Sequence, residues 1–181
     1  MVTNPTEKEK GGNVMKARKA LVLFLAIALV VFGLAAMAQA SNTATQTVTF
    51  QVQAINEISL GADPDPLIIS TATAGSEPDS AQGTSTYAIT TNDEGKKITA
   101  KIDTAMPMGT DLYVELEAPT GGTSSGQVEL ATTDNDVVTS IEHVAESGKI
   151  ITYIFSADST ADVMESTATK TVTFTLTDVV I

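Results

Sequence analysis

The chain has no cysteine, no tryptophan and a single histidine, His143. The lack of cysteine excludes disulfide frameworks, thiolate metal sites and cysteine nucleophiles. One histidine excludes any site that needs two imidazoles. Basic residues are scarce as well: Lys+Arg number 10 against 22 Asp+Glu, a net charge of −12. Phosphates repel such a chain, so nucleic acid and anionic membrane surfaces are not expected partners. Aromatic residues make up only 4% of the sequence, too few to build the stacking platforms that a sugar-cleaving groove requires. The length of 181 residues allows one domain after a leader.

What is present begins with that leader. Lys16, Arg18 and Lys19 precede an apolar run from Ala20 to Met37, interrupted by Gly33. Ala38 and Ala40 then stand at the two small-residue positions of a signal peptidase site. The run is nearly as long as a membrane span, so a retained anchor is the rival reading. Cleavage after Ala40 is the expectation, and with no cysteine following, lipid attachment is excluded. Residues 1–14 are polar and aperiodic, and Met15 is a better start for a signal peptide. The organisation expected is therefore a signal peptide over 1–40, with Met15 as its start, and one domain over 41–181. That domain holds five Lys, no Arg and 20 Asp+Glu, a net charge of −15.

Threonine supplies 26 of its residues and serine 13, and no long stretch has helical periodicity. β-Branched residues suit a pleated, half-buried surface. In residues 47–53, polar and apolar side chains alternate strictly, so Val48, Phe50 and Val52 share one face and Thr47, Thr49, Gln51 and Gln53 the other. Residues 171–177 repeat the pattern with Val172, Phe174 and Leu176 inward. Further strands are expected at 58–60, 67–70, 84–91, 96–103, 110–117, 127–132 and 149–157. Asn92, Asp93, Glu94 and Gly95 form a hairpin loop between two of them. Residues 136–145 fit either a short helix or a bent strand. Eight to nine short strands with frequent turns indicate an all-β, antiparallel two-sheet sandwich, Ig-like or fimbrial-like.

The termini of the domain echo one another. Residues 44–50 (ATQTVTF) and 168–174 (ATKTVTF) agree at six of seven positions. Two readings stand: two edge strands that meet the same packing requirement, or two strands that replace one another between subunits, as in strand addition. The second makes Thr47, Val48, Phe50, Val172, Phe174 and Leu176 the candidate assembly residues. Val179, Val180 and Ile181 end the chain without charge, a sticky edge if left free.

The strand succession from residue 44 to the closing TVTFTLTD is similar to small secreted bacterial β-sandwich proteins. Tyr87-Ala88-Ile89-Thr90-Thr91-Asn92, Lys97-Ile98-Thr99-Ala100-Lys101-Ile102 and Ala118-Pro119-Thr120-Gly121-Gly122 resemble a widespread, functionally uncharacterised secreted family. Its members resemble fimbria-like and surface-matrix subunits. The resemblance implies a sandwich fold and a structural role at the cell surface.

Other chemistry is sparse. His143 lies between Glu142 and Val144, with Ser147 four residues on, but no G-x-S-x-G motif accompanies it. Glu115 and Glu117 share a strand face near Asp111, as the wet side of a sheet commonly does. No catalysis is expected. Calcium is the metal that the loop carboxylates would suit, at Asp134 and Asp136 first and at Asp63 and Asp65 next. Neither cluster forms an EF-hand loop, and Asp and Asn favour turns without any metal. The outward threonines of the terminal strands are read as an ordinary polar face that also suits packing between subunits. The function expected is a secreted, non-enzymatic structural or adhesive sandwich. It would need no cofactor and would partner itself or another surface protein through edge strands. The alternative is a monomeric secreted module that binds a glycan or calcium through its loops.

Overall fold

The structure, a computed structural model, describes residues 42–179. The leader, Ala38, Ala40, Val180 and Ile181 lie outside the described residues. The chain divides into two units, Met1–Phe50 and Gln51–Ile181. In the first, residues 42–50 carry no helix or strand and are exposed throughout.

The second unit is all-β. Its strands are β1 (Asn56–Leu60), β2 (Ala81–Thr91), β3 (Lys96–Ile102), β4 (Thr110–Leu116), β5 (Thr123–Ser124), β6 (Val128–Glu129), β7 (Asn135–Ile141), β8 (Val144–Ala157) and β9 (Val172–Asp178). They form two antiparallel sheets, ordered β1-β2-β8-β4-β6 and β5-β7-β3-β9. Val114, Leu116, Ile151 and Tyr87 of the first sheet and Ile98, Ile102, Val137 and Ile141 of the second share one apolar core. This is the sandwich arrangement expected of alternating strands whose inner faces must leave water. β4 shows why the sequence folds so: Leu112, Val114 and Leu116 are buried, while Asp111 and Glu115 are exposed.

Two expected elements do not form as strands. Residues 47–53 pair with no strand among the described residues. Residues 67–70 form no ladder; only an isolated bridge joins Ala72 to Pro78 nearby. Pro64 and Pro66 precede this segment, and prolines have no N–H to donate to a ladder. Leu67 nevertheless packs on the core. Its loop lies so close over β2 that a Cβ on Gly83 would meet Leu67 Cδ2 at 2.8 Å.

The ambiguous stretch 136–145 is strand. β7 ends at Ile141 and β8 begins at Val144. Two non-glycine residues take positive φ here, Ser140 (58°) within the end of β7 and His143 (44°) in the bend that follows. Val137 and Val138 are both fully buried, and the β3–β7 register shifts on either side of Ile98. That irregularity replaces strict alternation and gives the segment its helix-like spacing.

β1 and β9 are the terminal strands of their respective sheets and lie close to one another without pairing. The other side ends in the two-residue strands β5 and β6.

Candidate assembly surface

The most unusual feature of the molecule is the exposure of residues 47–53. Val48 is 72% exposed, Phe50 89% and Val52 78%. An alternating apolar face on an extended chain is normally buried against a sheet, and exposed apolar side chains in a row mark an interaction site. The whole stretch 41–56 is also free of charge, glycine and proline, in a domain that otherwise averages a charge every few residues.

The root of this segment is fixed. The loop of residues 92–95 is not the hairpin expected from the sequence: it carries the chain from β2 in one sheet to β3 in the other, and there Asn92 uses its amide as a strand would use its backbone. Its Oδ1 accepts from Ile55 N at 2.7 Å, and its Nδ2 donates to Gln53 O at 2.8 Å. Its own backbone N–H donates to Ile55 O at 3.2 Å. Beside it, Thr91 Oγ1 donates to Asn56 Oδ1 at 2.6 Å. Residues 53–56 are thereby held at the entrance to β1.

The echoing strand β9 is placed very differently. It pairs with β3 over seven residues without a register shift, from Lys96↔Asp178 to Ile102↔Val172. Val172, Phe174 and Leu176 are half-buried and pack on the core. Both of its ends are anchored. At the start, Lys170 Nζ donates to Thr104 Oγ1 and to Ala105 O, each at 2.8 Å. At the end, Lys96 Nζ is paired with Asp178 and lies 2.9 Å from Asp93 Oδ2. The hydrogen bonds to Asp178 and Asp93 hold the Lys96 ammonium above its ordinary value. The hydrogen bond from Lys96, with a backbone N–H from Glu94, holds the Asp93 carboxyl below its own. In the N-terminal copy, the residues equivalent to Lys170 and Asp178 are Gln46 and Ala54. The echo thus repeats the strand and omits both anchors.

The outer edge of β9 has no strand against it among the described residues. It carries no proline, no bulge and no charge before Asp178, three of the devices that protect an edge, although β1 lies close by. β1, the other edge, is shorter and carries Glu57.

The remaining candidates are placed as follows. Asp134 Oδ2 is 3.2 Å from Lys101 Nζ, and Asp136 Oδ1 is 2.8 Å from Lys97 Nζ. These carboxylates are thus engaged by lysines across the outer face of the β3–β7 pair. Among the described residues, no group of three acidic or histidine side chains converges on a metal position, and Asp63 and Asp65 join no such group. The Asp63 carboxylate does add to the burial that pushes the Tyr153 hydroxyl up to about 12. His143 Nε2 lies 3.1 Å from Glu94 Oε1, where the β2–β3 and β7–β8 connections meet at an exposed end of the sandwich. Glu117 serves structure: it faces Lys149 Nζ at 2.6 Å and accepts from Ile150 N at 3.1 Å. Glu146 completes that node, at 3.3 Å from the same lysine. The Lys149 and backbone hydrogen bonds hold the Glu117 carboxyl below its ordinary value.

The sequence reading named Phe50 and Phe174 but missed Asn92, Lys96 and Lys170. In the sequence Asn92 has the marks of a turn residue alone, and nothing local signals that its amide reaches back 39 residues to Gln53. No protein-family model matches the chain, and no curated protein matches it either.

Proposed function

We propose that the protein is an exported, non-enzymatic subunit of a surface fibre or extracellular matrix, a fimbria-like sandwich that assembles through its edge strands. One observation carries the reading. The apolar face of residues 48–52 is exposed in the single chain, next to a fixed root and in a stretch without charge. Leaving such a face in water costs roughly 1.5–3 kcal/mol for each large side chain compared with burying it. Strand addition to a second molecule removes the cost and supplies a ladder of main-chain hydrogen bonds. The charge distribution agrees. A domain of net charge −15 repels its copies, and the uncharged segment is where two of them approach with least repulsion.

The test is size-exclusion chromatography and negative-stain microscopy of residues 41–181. Filaments or discrete oligomers are expected. The variant carrying Val48→Ser, Phe50→Ser and Val52→Ser is expected to stay monomeric with its fold intact. A wild-type chain that remains monomeric at high concentration, with and without calcium, would sink the proposal and leave a stand-alone binding module.

A further inference from the structure

The reading of the protein as an edge-strand subunit leaves open which edge accepts, what occupies it and in which register; the backbone of β9 bears on the first. Asp103 N donates to Thr171 O at 3.1 Å, and Val179 N donates to Gly95 O at 2.9 Å. Odd-numbered residues of β9 therefore turn their N–H and C=O groups towards β3. Antiparallel alternation then turns those of Val172, Phe174 and Leu176 outward, along the free edge. The continuous β3–β9 register carries this alternation through the whole strand.

We infer that residues 47–53 of a second copy of this chain add antiparallel to the outer edge of β9, with Phe50 opposite Phe174. This inference rests on the subunit reading. In a sheet, directly opposite residues point to the same face. The incoming Val48, Phe50 and Val52 must therefore lie opposite the inward residues of β9. The register that pairs all seven residues places Val48 against Leu176, Phe50 against Phe174 and Val52 against Val172. These are hydrogen-bonded pairs, because the even-numbered residues of β9 face outward. Thr47, Thr49 and Gln51 then lie opposite Thr177, Thr175 and Thr173 as the closer, non-hydrogen-bonded pairs on the wet face. The direction follows the rest of the molecule, where every strand pair is antiparallel. The occupant follows from the echo. The incoming segment has the same alternation of threonine and apolar residues as β9 and lacks β9's two anchors. It can thus pair with an edge strand while being bound to no fixed place by Lys or Asp.

The absence of native cysteine makes cross-linking a clean test. Thr49 and Thr175 are both exposed, so cysteines there leave the core untouched. The pair would be about 4.5 Å apart at Cα in this register, within disulfide range. The double variant Thr49→Cys, Thr175→Cys, oxidised after assembly, is expected to run as a reducible ladder of multimers in SDS. The variant Thr49→Cys, Thr173→Cys, which reports a parallel arrangement, is expected to give none. A ladder from the second variant alone would overturn the register, as would filaments that cross-link in neither. A monomer with its two cysteines joined would overturn the second copy as occupant. Absence of both oligomers and disulfides would overturn the subunit reading itself, and this inference with it.

Discussion

Phe50 and Phe174 occupy equivalent places in the two echoing segments, yet the same substitution should act on them in opposite ways. Phe50 is 89% exposed in the single chain, so Phe50→Ala removes nothing that the fold uses. Its effect on unfolding should stay within about 0.5 kcal/mol, as for other surface changes. In the proposed assembly, the ring would be covered. Taking about 2 kcal/mol for burying a phenyl side chain, the substitution weakens each junction roughly thirtyfold. Phe174 already packs on the core, half-buried. Phe174→Ala should therefore cost about 2 kcal/mol in unfolding, less than the full core value because the site is open at one edge. Urea titration followed by circular dichroism measures the first quantity, and the critical concentration for assembly by sedimentation measures the second. The reasoning fails if Phe50→Ala lowers the urea midpoint as much as Phe174→Ala does, or if it leaves the critical concentration unchanged.

Asn92→Ala removes both side-chain hydrogen bonds to residues 53–55 and should cost about 1 kcal/mol. Hydrogen exchange at the Ile55 amide should speed up markedly, and unchanged protection there would contradict the clamp. Acid should destabilise the fold: Asp93, Glu117, Glu146 and Asp158 all titrate below their ordinary values, each held down first by a side-chain hydrogen bond. The unfolded chain therefore takes up protons first. Stability is fully present above the ordinary carboxylate range of about 4 and is lost as pH falls through the lowered native values. Lys96 and Lys149 are raised, so their share is present below the ordinary lysine value of about 10.4 and is lost as pH climbs through the native ones. A flat urea midpoint from neutral pH down to about 3 would refute these assignments. Gly109→Ala should destabilise by about 2 kcal/mol or more, because φ is +72° and the new Cβ would stand 2.6 Å from Ala161 N. A thermal midpoint equal to wild type would refute it.

The sequence revealed the two-sheet fold wherever a strand has one wet and one dry face. β4 alternates throughout and β9 does so as far as Leu176, and their inward residues were legible one by one. β5 was not, because a two-residue strand has no period to read, and β6 keeps only two residues of the strand expected over 127–132. The turn between β7 and β8 was hidden too, since Ser140 and His143 take positive φ with no glycine to signal it. Residues 67–70 look like a strand by composition, but the fold uses Leu67 as a plug over Gly83. The clearest lesson is residues 47–53. Periodicity predicts a strand there, and the structure forms none. Alternation reports which side chains would share a face; it carries no information on whether a strand edge is set against the segment, because that depends on how the rest of the chain folds.

The two anchors of β9 have a mechanical consequence. In a filament joined at this strand, tension entering through a neighbour's segment would pass across β9 into β3. Antiparallel strands pulled along their length load all their hydrogen bonds together, whereas strands peeled from one end break them in turn. Lys170 holds one end of β9 and the Lys96–Asp178 pair holds the other, so neither end offers a point at which peeling can begin. The β9–β3 ladder inside each subunit would be loaded in shear, so the subunit body would resist extension without a single disulfide.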